Sequence, residues 1–135
     1  MNYESKYPTT IYRVSLKAVI RDEHSNVLMC KEYDSDSWSL PGGGWDHGET
    51  EHAALARELK EEVNYEGHFE TKPFATAVFW LEPRKSWLLW IVYDVKTENM
   101  HFSVGQDTKE VEFVEPKTLK NSNERTEHWI FENLC

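Results

Sequence analysis

This chain has few cysteines, no long apolar run and no signal segment. Of its 135 residues only Cys30 and Cys135 are cysteines, too few for a disulfide framework, which indicates a reducing, cytoplasmic setting. No apolar run is long enough to span a membrane, and the N-terminal residues MNYESKYPTT lack the apolar segment of a signal peptide. The sequence therefore predicts a cytoplasmic protein with no membrane partner.

Positive charge is also scarce, because 24 acidic residues outnumber 15 lysines and arginines and leave a formal net charge of −9. A general nucleic-acid binder needs a basic surface to displace counterions, so we expect no nucleic-acid polymer as a partner. An acidic protein can still bind a polyphosphate when a metal ion mediates the contact. We find no internal repeat or linker, and the length fits a single domain over residues 1–135.

The residues that carry chemistry are concentrated between Gly42 and Tyr65, in the stretch GGGWDHGETEHAALARELKEEVNY. Thr50 is the predicted N-cap of a helix, because its hydroxyl can accept a backbone hydrogen bond there. Apolar residues then recur every four positions and form the predicted buried stripe: Leu55, Leu59 and Val63. The glycines before this helix let the backbone approach a phosphate or a metal ion closely.

Three glutamates lie on a neighbouring stripe of the same helix. Glu58, Glu61 and Glu62 are spaced i, i+3 and i+4, so their like charges converge and repel. A Glu-rich helix face is most often only solvated surface. A hard divalent cation would remove the repulsion, because Mg²⁺ and Mn²⁺ prefer oxygen ligands. Together with the preceding glycines, the glutamates predict a metal site.

This stretch resembles the Nudix box, G-x5-E-x7-R-E-U-x-E-E-x-G-U, in which U is a bulky apolar residue. The match runs through eight positions: Gly43, Glu49, Arg57, Glu58, Leu59, Glu61, Glu62 and Tyr65. Asn64 stands where the family has glycine, at a position that needs a left-handed backbone, which asparagine tolerates. Trp38 to Pro41, just before the glycines, also resembles the usual approach to the box.

The resemblance implies a Mg²⁺-dependent hydrolase, with Mn²⁺ as an alternative ion, in which water attacks a phosphorus of a nucleoside diphosphate linked to another group. The implied catalytic residues are Arg57, Glu58, Glu61 and Glu62. The implied metal ligands are the carboxylates of Glu58, Glu61 and Glu62 and a backbone carbonyl of Gly42 or Gly43. Contacts to phosphate or substrate are assigned to Gly43, Gly44, Glu49 and Glu110. Arg57 is expected to orient Glu58 or to pair with Glu49, and a direct phosphate clamp is the alternative.

The sequence allows more than one general base, substrate class and oligomeric state. The general base is Glu58 or a later acid, for which the candidates are Asp107, Glu110 and Glu112. The substrate is a nucleoside triphosphate, oxidised ones included, or another nucleoside diphosphate derivative. A domain of this family can also serve as a non-catalytic nucleotide sensor or interaction module, and the chain is a monomer or a homodimer. The aromatic residues that line a base pocket are not identified, and Trp38 is read as a structural anchor.

The order of elements predicts an α+β fold, and the resemblance implies an α/β/α sandwich with a mixed β-sheet between helices. Strands are predicted at residues 13–20, 27–31, 38–41, 74–81, 87–95 and 110–114, with a short one around 101–104 left open. A closing helix is predicted at residues 122–134, capped by Ser122 or Asn123. Asp34, Asp36, His47, Arg84 and Lys85 are read as surface residues.

Overall fold

The computed structural model describes residues 9–135 of the chain. These residues contain six strands, two α-helices and one 3-10 turn, joined by loops. In chain order they are β1 (Tyr12–Val19), β2 (Val27–Glu32), β3 (Gly42–Gly44), α1 (Glu51–Val63), β4 (Phe69–Leu81), β5 (Ser86–Thr97), β6 (Thr108–Val114), the 3-10 turn (Pro116–Leu119) and α2 (Arg125–Leu134). The predicted loose lead-in, residues 1–10, lies almost entirely outside the described residues.

Four strands form a mixed sheet in the order β3-β1-β5-β4. β1 runs parallel to β5 and antiparallel to β3, and β4 is antiparallel to β5. β2 and β6 form a separate antiparallel pair. The sequence did not predict this division, because the pairing joins segments some eighty residues apart in the chain and depends on contacts that no local pattern encodes.

One helix covers each face of the mixed sheet, which confirms the predicted α/β/α arrangement. Even-numbered residues of β1, and Ile20 just beyond its end, point toward α1 and pack against its apolar stripe: Leu16, Ala18 and Ile20 against Leu55, Leu59 and Val63. The other face packs against α2 in a second core that includes Val19, Trp90, Val92, Ile130 and Leu134. Successive residues of β1 thus point to opposite faces of the sheet, and both faces are buried.

Helix α1 begins and ends as its sequence predicts. The Thr50 hydroxyl accepts a hydrogen bond from the Ala53 backbone N–H (3.1 Å). At the other end Asn64 adopts the left-handed conformation, with φ 55° and ψ 41°, and its backbone N–H donates to the Leu59 carbonyl. Asparagine therefore takes the role that glycine has in the box.

Several predicted boundaries are wrong. The strand expected at residues 38–41 is a single bridge at Ser39, because β3 comes one step later, on the glycines themselves. β4 begins at Phe69, five residues early, and a bulge after Pro73 accommodates the proline. No strand forms at residues 101–104. Helix α2 is capped by Glu124, whose carboxylate accepts from the Glu127 N–H, and not by Ser122 or Asn123.

Candidate active site

A cleft of about 930 Å³ opens where β1, β3 and α1 meet the hairpin that joins β4 to β5. Six acidic side chains line it: Glu32, Asp34, Glu58, Glu61, Glu62 and Asp107. The same cleft contains three cations and an apolar part: Arg13, Lys17 and Arg84, with Leu81, Leu88 and Trp90. The predicted metal-binding acids and glycines therefore lie in one concave site, the usual setting for small-ligand chemistry.

The glycines of β3 are needed because two of them have no room for a side chain. A Cβ on Gly42, whose φ is +131°, would lie 1.9 Å from the Leu16 carbonyl oxygen. A Cβ on Gly43 would lie 2.8 Å from both carboxylate oxygens of Glu58. The glycine backbone therefore sits directly against β1 on one side and against a box glutamate on the other.

Glu62 is the most enclosed of the three box glutamates, with 4% of its surface exposed. Its Oε1 accepts a hydrogen bond from the Gly42 backbone N–H (2.7 Å) and lies 3.9 Å from the Cys30 Sγ. Burial raises the pKa of Glu62 to about 7, although the nearby Lys17 and the Gly42 N–H both act to lower it. Its neighbours therefore compensate only part of the cost of burying this side chain in its charged form.

Glu58 and Glu61 are held by the same arginine. Arg57 Nη1 donates to Glu58 Oε1 (2.8 Å) and lies 3.5 Å from Glu61 Oε2, so these two carboxylates are close neighbours. Burial raises the pKa of Glu58 above its ordinary value, and the Arg57 hydrogen bond and charge oppose that shift. Two buried or half-buried carboxylates therefore share a single cationic partner.

Arg57 holds the geometry of the box, as the sequence predicts. Its Nε and Nη2 bind both carboxylate oxygens of Glu49 (2.8 Å each), and Nη2 also donates to the Gly44 carbonyl (2.9 Å). The Arg57 hydrogen bond is the main reason that the pKa of Glu49 lies below its ordinary value. Neither Arg57 nor Glu49 lines the cleft, so the assignment of Glu49 to substrate contact is not supported by its position.

Lys17 is a buried cation beside the glycine strand. Its Nζ donates to the Leu40 carbonyl (3.1 Å) and to the Gly42 carbonyl (2.9 Å), and it lies 5.1 Å from the centre of the Trp90 ring. In this structure the Gly42 carbonyl therefore already has a cationic partner. A lysine with 7% exposure is uncommon unless it is paired, so this one fixes the approach of residues 40–42 to β1.

The loop before β6 closes the C-terminal end of α1 and brings Asp107 into the cleft. Backbone N–H groups of Ser103, Gly105 and Asp107 donate to the carbonyls of Val63, Glu62 and Glu61. Those carbonyls lack helical partners, and the loop supplies them. Asp107 lines the cleft as a result.

Glu110, the acid that the sequence analysis selected from this region, is not in the cleft. The β2–β6 register places it opposite Lys31, with which it forms an ion pair of 3.1 Å. Of the three later acids that the sequence offered, Asp107 is therefore the one that lines the cleft, and Glu110 and Glu112 do not.

Sequence reasoning also missed Arg13, Lys17 and Arg84. A signal was present for two of them, because polar residues alternate with apolar ones along β1: Arg13, Ser15 and Lys17 between Val14, Leu16 and Ala18. Arg84 stands in the hairpin turn, where a charged residue is ordinarily surface, and Asp34 also lies on the rim of the cleft. Trp38 does pack as an anchor against the α2 core, as expected.

Comparison with known proteins gives the family. The model of the NUDIX domain matches residues 11–133, nearly the whole chain, and the chain therefore belongs to the NUDIX family. The fold agrees: a MutT protein from Methanosarcina mazei Go1 superposes with a TM-score of 0.76 at 21% identity, over 95% of this chain and 96% of that one. A MutT NUDIX hydrolase from Burkholderia pseudomallei gives 0.72 at 18% identity, over 93% and 99% of the two chains.

Curated relatives resemble the chain over a shorter span. An RNA pyrophosphohydrolase of Vibrio vulnificus is 41% identical over 70 residues, which are 52% of this chain and 40% of that protein. The RNA pyrophosphohydrolase of Ruthia magnifica is 48% identical over 52 residues, 38% of this chain and 29% of that protein. The chain thus spans well under half the length of the curated relatives it matches.

Proposed function

We propose that this protein hydrolyses a pyrophosphate linkage in a nucleotide-type substrate with the help of Mg²⁺, for which Mn²⁺ is an alternative. The observation that carries the proposal is the packing of two buried, undercompensated carboxylates, Glu58 and Glu62, against the glycine strand inside the cleft. Burying such charges is costly unless a partner neutralises them. Membership of the NUDIX family supports the same conclusion.

The donor set fits a hard divalent cation. Within residues 9–135, no group of three acidic, histidine or cysteine side chains is close enough together to hold a metal ion. The carboxylates of Glu58 and Glu62 instead accept hydrogen bonds from Arg57 and from the Gly42 N–H. The box glutamates offer only oxygen ligands, however, and their negative charge is only partly offset, which suits Mg²⁺. The residues that would hold the ion are Glu58, Glu61 and Glu62 with a carbonyl of β3. Gly43 is the better carbonyl donor, since Lys17 engages that of Gly42.

The chain's own residues would divide the reaction between them. A bound ion would supply positive charge where negative charge develops on the phosphate oxygens, and would help to orient the attacking water. Burial raises the pKa of Glu58 toward the range of a general base, so Glu58 is assigned the proton that water loses. The water oxygen bonds to phosphorus as the phosphoanhydride P–O bond breaks, and the leaving phosphate group departs with the bonding electron pair. Asp107 is the alternative base, because it is the later acid that lines the cleft. Arg57 acts through Glu58 and Glu49 as a positioning residue.

Arg13 and Arg84 are assigned to the substrate's phosphates. Both line the cleft, and neither guanidinium has a hydrogen bond or ion pair with another of the residues 9–135. Guanidinium groups bind phosphate oxygens in pairs of hydrogen bonds. Free cations in a cleft of an acidic protein thus favour a substrate with more than one phosphate.

Two substrate classes fit this arrangement. Nucleoside triphosphates, oxidised ones included, and other nucleoside diphosphate derivatives remain the class that the sequence favours. The name of the Vibrio relative, RNA pyrophosphohydrolase, adds an RNA that carries a pyrophosphate group. A general nucleic-acid binder needs a basic stripe along its surface. An enzyme that contacts only the phosphorylated end of an RNA does not need one.

A substrate panel with a matched pair of variants tests the proposal. Nucleoside triphosphates, dinucleotides and a 5′-triphosphorylated RNA are incubated with Mg²⁺, and released phosphate and pyrophosphate are measured. Glu61→Gln should reduce turnover by orders of magnitude, because it removes a charge that would neutralise the ion. Glu112→Gln, an exposed glutamate of β6 outside the cleft, should not. Tight binding of one compound with no turnover of any would instead identify a nucleotide sensor.

A further inference from the structure

Helix α1 leaves part of its face of the mixed sheet uncovered, and the uncovered part is apolar. Two rows of side chains cross β1, β5 and β4 there, because directly paired residues point to the same side of a sheet. The first row is Tyr12–Trp87–Trp80 and the second is Val14–Leu89–Val78. Within the first row the rings touch, with centroids 6.4 Å apart for Tyr12 and Trp87 and 5.1 Å apart for Trp80 and Trp87. These six residues are called the apolar sheet face.

This face is exposed although a central strand runs through it. Tyr12 is 47%, Val78 51% and Trp80 36% exposed, and Trp87 and Leu89 on β5 are only half-buried. Helix α1 covers the sheet from the next row onward, where Leu16 is fully buried, and Val14 at the margin is half-buried against that core. Aromatic residues are enriched in the buried centre of protein–protein interfaces relative to the rest of the surface, so this cluster resembles an interface.

We propose that the apolar sheet face binds a second copy of this chain in a two-fold symmetric dimer. The two rows differ in size, so the aromatic row of one copy can pack over the aliphatic row of the other. A two-fold axis achieves this twice at once, which is the self-complementarity that an isologous interface requires. None of the six side chains is charged, so nothing on the face selects a charged partner over another copy.

The area fits a dimer. Taking a fully exposed aromatic side chain as about 250 Å² and an aliphatic one as somewhat less, the face leaves roughly 450 Å² of apolar surface uncovered. Two copies would then remove about 900 Å² of apolar area, and with an interface about two-thirds apolar the total is roughly 1,400 Å². Stable interfaces bury about 1,200–2,000 Å² in total.

The dimer leaves both clefts open. Side chains of odd number on β1, among them Arg13 and Lys17, point to the opposite side of the sheet and line the cleft. Dissociating the dimer should therefore leave the chemistry of each subunit intact.

Sedimentation equilibrium of the full chain at micromolar concentrations tests the proposal, with Val78→Lys as the disrupting variant. Symmetry places residue 78 in the interface twice, and an unpaired ammonium there is costly, so the dimer dissociation constant should rise at least about 100-fold. Val104→Lys is the matched control, because Val104 is 46% exposed and lies outside the face. It should leave the wild-type dimer unchanged.

A second variant on another strand guards against a folding defect. Tyr12→Glu should also give a monomer, and both monomeric variants should keep the far-ultraviolet circular dichroism of the wild type. A wild-type chain that is monomeric throughout the concentration range would overturn the proposal. So would a dimer that Val78→Lys and Tyr12→Glu leave intact, since the contact would then lie elsewhere.

Discussion

Glu62 gives the sharpest physical prediction, because its charge destabilises the fold when no metal ion is present. The side chain is nearly enclosed, and its pKa rises from an ordinary 4.5 to about 7 in the folded chain. Between these two values the folded state binds the proton while the unfolded state releases it. The contribution of Glu62 to stability without metal should therefore be fully present below about pH 4.5 and be lost as the pH rises through about 7.

The size of the effect follows from the same numbers. Each pKa unit is worth about 1.4 kcal/mol, so a carboxyl moved from 4.5 to about 7 costs the fold about 3 kcal/mol at pH 8. Glu62→Gln replaces the carboxylate with a neutral group of the same shape, and its amide oxygen can still accept from the Gly42 N–H. The variant should therefore be more stable than the wild type at pH 8, by up to about 3 kcal/mol, and equal to it near pH 4.5.

Urea unfolding in the presence of a chelator measures this difference. The free energy of unfolding is determined at intervals from pH 4.5 to pH 8.5 for the wild type and for two variants, Glu62→Gln and the exposed control Glu112→Gln. The control should follow the wild-type curve. Part of the slope should survive in Glu62→Gln, because the pKa of Glu58 is raised in the same direction.

One result would refute the reasoning. If wild-type stability in chelator rose from pH 5 to pH 8, or if Glu62→Gln were less stable than the wild type at pH 8, the carboxylate would be well compensated inside the fold. The site would then need no cation to offset the charge of Glu62.

Four further predictions follow from the site. Mg²⁺ should raise the melting temperature at pH 8 in proportion to the logarithm of its concentration, and a chelator should reverse this, as measured by scanning calorimetry. Gly43→Ala should lower turnover strongly, because the new Cβ would lie 2.8 Å from the Glu58 carboxylate oxygens and must displace them, at a cost to the free energy of unfolding of about 1–3 kcal/mol; unchanged turnover would place Glu58 outside the reaction. Arg84→Gln should raise KM with little change in kcat, whereas an equal loss in both kcat and kcat/KM would assign Arg84 to the transition state. Asn64→Gly should stay within about 1 kcal/mol of the wild type and Asn64→Val should be clearly worse, since β-branched residues resist the observed φ of 55° most strongly; equal stabilities in urea would contradict this.

The parts of the fold that the sequence predicts are those determined by local chemistry. Thr50 and Asn64 bound helix α1 because a hydroxyl and a left-handed asparagine act within one turn of the helix. The alternation along β1 likewise needs only neighbouring residues. By contrast, the cap of α2 depends on competition: Ser122 binds the Glu124 N–H and the Glu127 carboxylate, which leaves Glu124 to cap the helix.

The site divides in the same way. The spacing of Glu58, Glu61 and Glu62 on one helix predicts their proximity, and Arg57 lies where the box implies. Whether Asp107 or Glu110 lies in the cleft depends on tertiary structure. The backbone carbonyls at the end of α1 accept hydrogen bonds from the loop before β6, and these bonds place Asp107 in the cleft. A strand register that pairs Glu110 with Lys31 cannot be read from the sequence of β6 alone.

Charge distribution explains how an acidic protein can serve a polyanionic substrate. Arg57 and Lys17 are committed inside the fold, to the box carboxylates and to the carbonyls of residues 40 and 42. They hold the acids and glycines in position but leave Glu62 undercompensated, which is the requirement for binding a cation. Arg13 and Arg84 also line the cleft, and within residues 9–135 neither guanidinium has a hydrogen bond or an ion pair. A net charge of −9 disfavours nonspecific binding of polyanions, whereas the proposed metal ion and these two guanidinium groups would admit a phosphorylated end at one place.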